Sequence, residues 1–352
     1  MNRKEKGFNP LIPVFGSMAG VVAGLRASSV RPVVYFLVIA GVGLLLGLVL
    51  ALGQSKKKPQ PPKAPEEPVD EEKLQQILSV LRERTKCPAV RIHAEKADDL
   101  PLTASKFGGF PYWEDGADYP CTHEGEKLLL LAQINFDEVD TSGTSLPKNG
   151  LLQFFVRDDD LCGCDFAPTA VQNTYRVVYH PATDRALSRE ALREMGISSS
   201  TELDYHSSCF PFFGEYALRF ERFTDSIGCC VSNYDRIFDE VMTSEFSEPL
   251  TEGSVYKHFN SAEWLYLVDA VDSFGHKMLG YPAFTQDDPR CDEEEPASGH
   301  DCTLRHYDTL LLQIDSDSDI MWGDSGVCNF FINSANLGRL DFSDVLYTWD
   351  CY

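Results

Sequence analysis

The chain has 352 residues and a net charge of −23, and 43% of its side chains are apolar, enough for a buried core in one large domain or two modest ones. The charge is unevenly spread. Nine of the 31 Lys/Arg but only one of the 54 Asp/Glu lie in residues 1–63, so residues 64–352 carry 22 basic against 53 acidic groups. A body this acidic repels phosphate backbones, which argues against nucleic acid and for a protein partner with a basic surface.

Taken in order, residues 1–32 form a basic N-terminal segment, with a short Gly-rich apolar stretch at 11–25 that suits an interfacial or re-entrant placement. Residues 33–52 (VVYFLVIAGVGLLLGLVLAL) hold no charge. Twenty helical residues at 1.5 Å each span about 30 Å, the hydrocarbon thickness of a bilayer, so a single transmembrane helix is expected. Lys56, Lys57, Lys58 and Lys63 follow it closely, against Arg26 and Arg31 before it. The positive-inside rule then places the C-terminal body in the cytoplasm. Residues 53–69 are a Lys/Pro-rich linker; its PQPPKAPEEP run disfavours helix and sheet and predicts an extended spacer. The odd number of cysteines, 11, at irregular spacings fits free thiols better than a disulfide framework.

A globular body is expected over 70–352. Residues 70–86 predict a helix: Asp70 as N-cap, Leu74, Ile77, Leu78 and Leu81 on one face, basic residues in the last turn, and Pro88 as the stop. From 90 to 178 the signal is mainly β. Alternation at 89–93 and apolar runs at 128–136, 151–157 and 175–179 are separated by Gly and Pro clusters, the pattern of antiparallel sheet. Helices are expected at 188–195, at 232–243 with Ser232 as N-cap, and at 261–273; an acidic loop spans 286–301. The fold class expected is α+β: a mainly antiparallel β body with peripheral helices.

Two blocks share one plan. Lys106, Gly109, Pro111, Gln133-Ile134, Gly150 and Phe154-Phe155 recur in order as Lys277, Gly280, Pro282, Gln313-Ile314, Gly326 and Phe330-Phe331. This predicts an internal duplication of a β unit, with repeats near 104–157 and 275–332 and the two Gln on equivalent strands. The stretches SKFGGFPYW, LLLLAQINF, LPKNGLLQFFV, LGYPAFTQDDPR and LLLQIDSDSDIMWGDSGVCNFFI carry a resemblance to the YwqG-like family over roughly residues 87–352. The resemblance implies a compact, soluble, largely β domain with helices outside, and no particular reaction.

Candidate chemistry concentrates at the C-terminal block. Asp315, Asp317 and Asp319 alternate as at the start of a calcium loop, but Ile320 and Gly326 stand where an EF-hand needs Gly and Glu. A non-standard metal site competes with a solvated turn whose carboxylates bind local backbone donors. GDSG around Ser325 resembles a protease nucleophile stretch in four letters only, with no matching His and acid. Trp322-Gly323-Asp324 reads as a tight buried turn or as one wall of a recognition pocket with Tyr281, Lys277, Gln313 and Arg290; Arg290 is expected to pair with Asp287 or Asp288. No motif implies a cofactor. The leading expectation is a membrane-tethered binding or scaffolding module. The alternatives are a metal-dependent or hydrolase-type enzyme using the acidic turn 315–324, or an immunity- or stress-type protein acting by direct contact.

Overall fold

The computed structural model describes residues 69–164, 171–290 and 302–352. The expected span at 33–52, the basic segment and the linker lie outside the described residues; among the described residues, no helix is long and apolar enough to cross a membrane.

Helix α1, Glu71–Thr85, begins where expected. The Asp70 side chain accepts from Lys73 N at 3.1 Å, Glu71 and Glu72 face the positive end of the helix dipole, and Leu74, Ile77, Leu78 and Leu81 are buried. Among the described residues, ten strands form one antiparallel sheet: β1 Cys87–Ala97, β2 Lys106–Gly108, β3 Leu129–Asn135, β4 Leu151–Val156, β5 Tyr175–His180, β6 Glu215–Asp225, β7 Lys277–Leu279, β8 Thr309–Asp315, β9 Val327–Ile332 and β10 Val345–Asp350. The order across the sheet is β10-β9-β8-β7-β1-β6-β2-β3-β4-β5. The α+β, mainly antiparallel class is what the sequence predicts.

At the centre of the sheet the alternation at 89–93 falls within β1, whereas its partner β6 was not predicted. Strands β1 and β6 pair along eleven residues each, from Cys87 opposite Asp225 to Ala97 opposite Glu215. Outward from this pair the two flanks repeat one pattern. Lys106 of β2 pairs with Gln133 of β3, and Lys277 of β7 with Gln313 of β8. The β3–β4 register slips between Leu130 and Ala132, and the β8–β9 register slips between Leu310 and Leu312. Each slip is a bulge, which adds twist and curls its flank.

The curled sheet is nearly closed and barrel-like. Phe154 and Phe330 meet edge to face at 4.8 Å, and the Tyr175 hydroxyl donates to Val345 O at 2.7 Å, so β4 and β5 face β9 and β10 across the interior. Phe155 and Phe331 point to the opposite face, against Trp113 and Phe284 respectively. Apolar burial on both faces is why these strands read as continuous runs instead of alternating ones.

A helical layer packs separately. Its core joins Leu74, Ile77, Leu78 and Leu81 of α1 to Ile227, Phe238, Val241, Met242, Leu267 and Val271. Outside this layer lie α2, Arg189–Glu194, capped by the Ser188 side chain, and a short α6, Ser334–Gly338; within it α3 is Tyr234–Val241, extended by a π turn at Met242–Phe246, α4 is Val255–His258, and α5 is Ser261–Ala270, with a capping box from Asn260 and Glu263. The expected Ser232 cap of α3 is not formed. Asn233 takes the N-cap position, because Ser232 turns its backbone N–H to Asp288 and its hydroxyl to the Arg290 carbonyl.

Candidate functional site

The predicted site residues divide into four groups, and one of them lines the cleft described below. The first is a pair of buried lysines at matching positions. Lys277 is 3% exposed, and its Nζ donates to Asp225 Oδ2 at 3.1 Å. Asp225 also accepts the backbone N–H groups of Ser226 and Tyr281, and Gly280 leaves room for it, since a Cβ there would lie 2.2 Å from Oδ2. Burial pushes the Lys277 amine below its ordinary range while the carboxylate pulls it back up. Lys106 is 0% exposed, and its Nζ donates to the Pro101 carbonyl at 3.1 Å. Burial, only partly offset by Glu215, lowers it to about 8. Both acids come from β6, one at each end of the central ladder, but of the two lysines Lys277 alone makes an ion pair with its acid. Neither lysine is in the lining of the cleft described below, and Lys277 is engaged by Asp225.

The second group is the pair of glutamines. Gln313 Nε2 donates to Ser273 O and Gly275 O, and its Oε1 accepts from Ala283 N. Gln133 does the same with Leu102 O, Ala104 O and Tyr112 N. Asn329 and Gln153, one strand further out, donate to Ala283 O and Tyr112 O. Each amide therefore ties two chain segments to the sheet by satisfying buried backbone groups. Both Nε2 protons and the Oε1 of Gln313 are thus engaged with backbone groups.

The acidic turn is also committed locally. Asp315 accepts from Gly275 N and Ser316 N, Asp317 Oδ1 accepts from Asp319 N and Ile320 N, and Asp317 Oδ2 meets His276 Nε2 at 3.1 Å. That contact, first among several hydrogen bonds, holds Asp317 at about 2. Asp315, by contrast, is raised by burial. Among the described residues, no group of three or more His, Cys, Asp or Glu gathers as a metal site, so Asp315, Asp317 and Asp319 do not converge. Trp322 is 1% exposed and lies 5.9 Å from Trp349, as the buried-turn reading expects. Gly326 permits this packing: a Cβ there would sit 1.9 Å from Asp350 O. Asp324 is exposed, with its carbonyl accepting from Tyr352 N. Trp322 and Asp324 are therefore remote in role from the pocket proposed for them.

Tyr281 and Arg290 do line a cavity. It is an open cleft of about 630 Å³ between the start of α3, the end of β7 and the 143–145 loop, with Arg305 and Asp308 on a further wall. Arg290 is fixed in place: Nε and Nη2 grip Asp288 at 3.0 Å each, Nη1 donates to Tyr307 O, and the guanidinium sits 4.0 Å above the Phe331 ring. Asp288 is thus the expected partner. A guanidinium has five N–H donors, so each terminal nitrogen keeps one. Asn233 shares the wall, and its Oδ1 is buried without a hydrogen-bond partner. Sequence reading missed Asn233, Arg305 and Asp308; no local pattern marks them, because they meet only through the packing of α3 against the β7–β8 connection. Cys87 also lines the cleft, but burial and Asp225 raise its thiol to about 11, which leaves little thiolate for nucleophilic attack. No histidine is among the described residues of the lining.

No curated protein sequence matches the chain. A family profile described as a domain of unknown function does, over residues 105–351, which covers the sheet from just before β2 through β10 and leaves α1 and β1 outside the match. On that match, the chain belongs to the DUF1963 family of domains of unknown function.

Proposed function

We propose that the body is a binding module of the YwqG-like type, carried on a membrane span at residues 33–52 with the body on the cytoplasmic side, and that its ligand site is the Arg290 cleft. The observation that carries this reading is the juxtaposition, on one cleft wall, of a rigidly clamped arginine and a buried amide oxygen without a partner. The fixed Arg290 donors and an unfilled acceptor favour a small polar ligand that offers acceptors, such as a carboxylate, to Arg290 and a donor to Asn233, with Arg305 adding positive charge to the lining. The uncharged stretch at 33–52, its Lys-rich C-terminal flank and the Pro-rich spacer support the tether and its orientation.

The test is a thermal-shift screen of the detergent-solubilised chain against carboxylate, phosphate and zwitterionic compounds. The Asn233→Ala and Arg305→Ala variants are run beside it, since both spare the Arg290–Asp288 clamp. A saturable rise in Tm that either variant weakens by roughly tenfold, the loss expected for one charge-assisted hydrogen bond, supports the cleft. Shifts that both variants leave unchanged would rule it out. Protease protection in right-side-out vesicles tests the orientation, and digestion of the body from outside would reverse it.

A further inference from the structure

Cys229 and Cys230 sit in the turn between β6 and α3. Their sulfurs are 3.9 Å apart, both side chains are half-buried, and neither is in a disulfide. Cys229 packs at the edge of the helical core and Cys230 at the edge of the Phe284–Phe331 cluster, so the two thiols close a seam between two separately packed units. The contact between the thiols, ahead of burial, lowers Cys230 and raises Cys229, leaving one nucleophilic sulfur beside one proton donor.

Soft centres choose thiolate ligands. A tetrahedral site with metal–sulfur bonds of about 2.3 Å holds two sulfurs roughly 3.8 Å apart, and the pair already has that spacing. Among the described residues, no third His, Cys, Asp or Glu joins them in a metal-holding group, so a centre that needs three or four protein ligands is not provided for. A trivalent centre that brings its own third substituent needs only two thiols.

We propose that Cys229 and Cys230 form a dithiol capture site for trivalent, thiophilic centres of the organoarsenical class. Hydrated phenylarsine oxide, a phenylarsenic carrying two hydroxyls, represents the class. Each cysteine sulfur forms one bond to arsenic, each hydroxyl leaves with one thiol proton as water, and no electron is transferred. Closing the second bond is intramolecular, so retention exceeds that of a single thiol by roughly a hundredfold or more. Val231, Ser232 and Asn233 follow directly and line the Arg290 cleft. Occupancy of the dithiol therefore acts on the turn that shapes the cleft wall, although the site stands whether or not the cleft binds a ligand.

The experiment treats the full chain with phenylarsine oxide and reads the product by intact mass and peptide mapping. The expected product is one phenylarsenic per chain with two thiol protons lost, stable to excess β-mercaptoethanol, released by 2,3-dimercaptopropanol, and mapped to the peptide holding Cys229 and Cys230. Cys229→Ser and Cys230→Ser should each cut retention about a hundredfold. Mapping on the unsubstituted chain decides the matter even if a variant misfolds. No stable adduct, an adduct on another pair such as Cys162 and Cys164, or folded variants that both retain the adduct as well as the unsubstituted chain would overturn the proposal.

Discussion

The replacement Lys106→Met removes an ammonium group that is fully buried and reaches one acceptor, the Pro101 carbonyl. The amine titrates near 8 in the folded chain against 10.5 as its ordinary value. Holding the charge there at pH 7 costs the folded state about 3 kcal/mol. Methionine fills a similar volume without that cost, while leaving the Pro101 carbonyl unpaired loses about 1–2 kcal/mol. The variant should therefore be more stable than the parent at pH 7 by about 1–2 kcal/mol. The folded pKa lies below the unfolded one, so between about pH 8 and 10.5 the unfolded chain holds a proton that the folded chain has released. Parent stability rises across that window, and the variant's advantage should fade. Lys277→Met is the control in the other flank. It takes the cation from a direct contact with the buried Asp225 carboxylate, which keeps only its two backbone donors, so it should gain less stability than Lys106→Met or lose some. Urea unfolding of both variants in detergent at pH 7 and pH 10, compared at equal m, reads all of these quantities. A Lys106→Met variant that loses stability at pH 7, or whose offset from the parent is the same at both pH values, would refute the reasoning.

Three further outcomes follow from the same geometry. Gln313→Leu deletes three buried hydrogen bonds and should cost about 3–5 kcal/mol, because the Ser273 and Gly275 carbonyls and the Ala283 N–H lose their partner; urea midpoints within 1 kcal/mol of the parent would contradict the tethering role. Gly326→Ala drives a methyl into the Asp350 carbonyl, and amide exchange along β10 should accelerate more than along β5; equal protection of the two strands would contradict it. Asp317 is depressed to about 2, so its contribution is present above its ordinary 3.8 and is lost as pH falls through the lower value. The side chain is over a third exposed, and solvent screening limits the effect of Asp317→Asn to about 0.5–1 kcal/mol. Acid unfolding of the variant should be flatter between pH 4 and 2, and superimposable curves would count against the His276 contact.

Much of the fold was legible where one face or both faces of an element are apolar. Helix α1 carries its cap, its stripe and its stop in one short segment, and the strands around Gln133 and Gln313 are apolar on both faces. Strand β6 was missed for the complementary reason. Arg219 and Glu221 alternate along its exposed face, where Glu221 meets His93 and Arg219 meets Glu95, so the run looks like a charged loop until its partner β1 is known. The candidate site was half legible. Tyr281 and Arg290 reach the cleft, whereas Lys277, Gln313 and Trp322 share their sequence neighbourhood but point into the sheet. Spacing records which residues are close along the chain; whether a polar side chain meets a ligand or a buried carbonyl depends on segments such as 273–275 and 101–104 that fold back over it. Those long-range closures leave no periodic trace in the sequence.

The position of β1 has a mechanical consequence. It is the first strand among the described residues, yet it lies between β6 and β7 in the middle of the ten that they form. A pull arriving from residue 69 therefore enters the sheet at its centre. It loads the eleven-residue ladder to β6 lengthwise, so those pairs resist together as a shear joint instead of parting one by one as an edge strand would. The C-terminal strand β10 does lie at an edge, paired only to β9. A pull from residue 352 can peel it, which gives this body a strong end and a weak end.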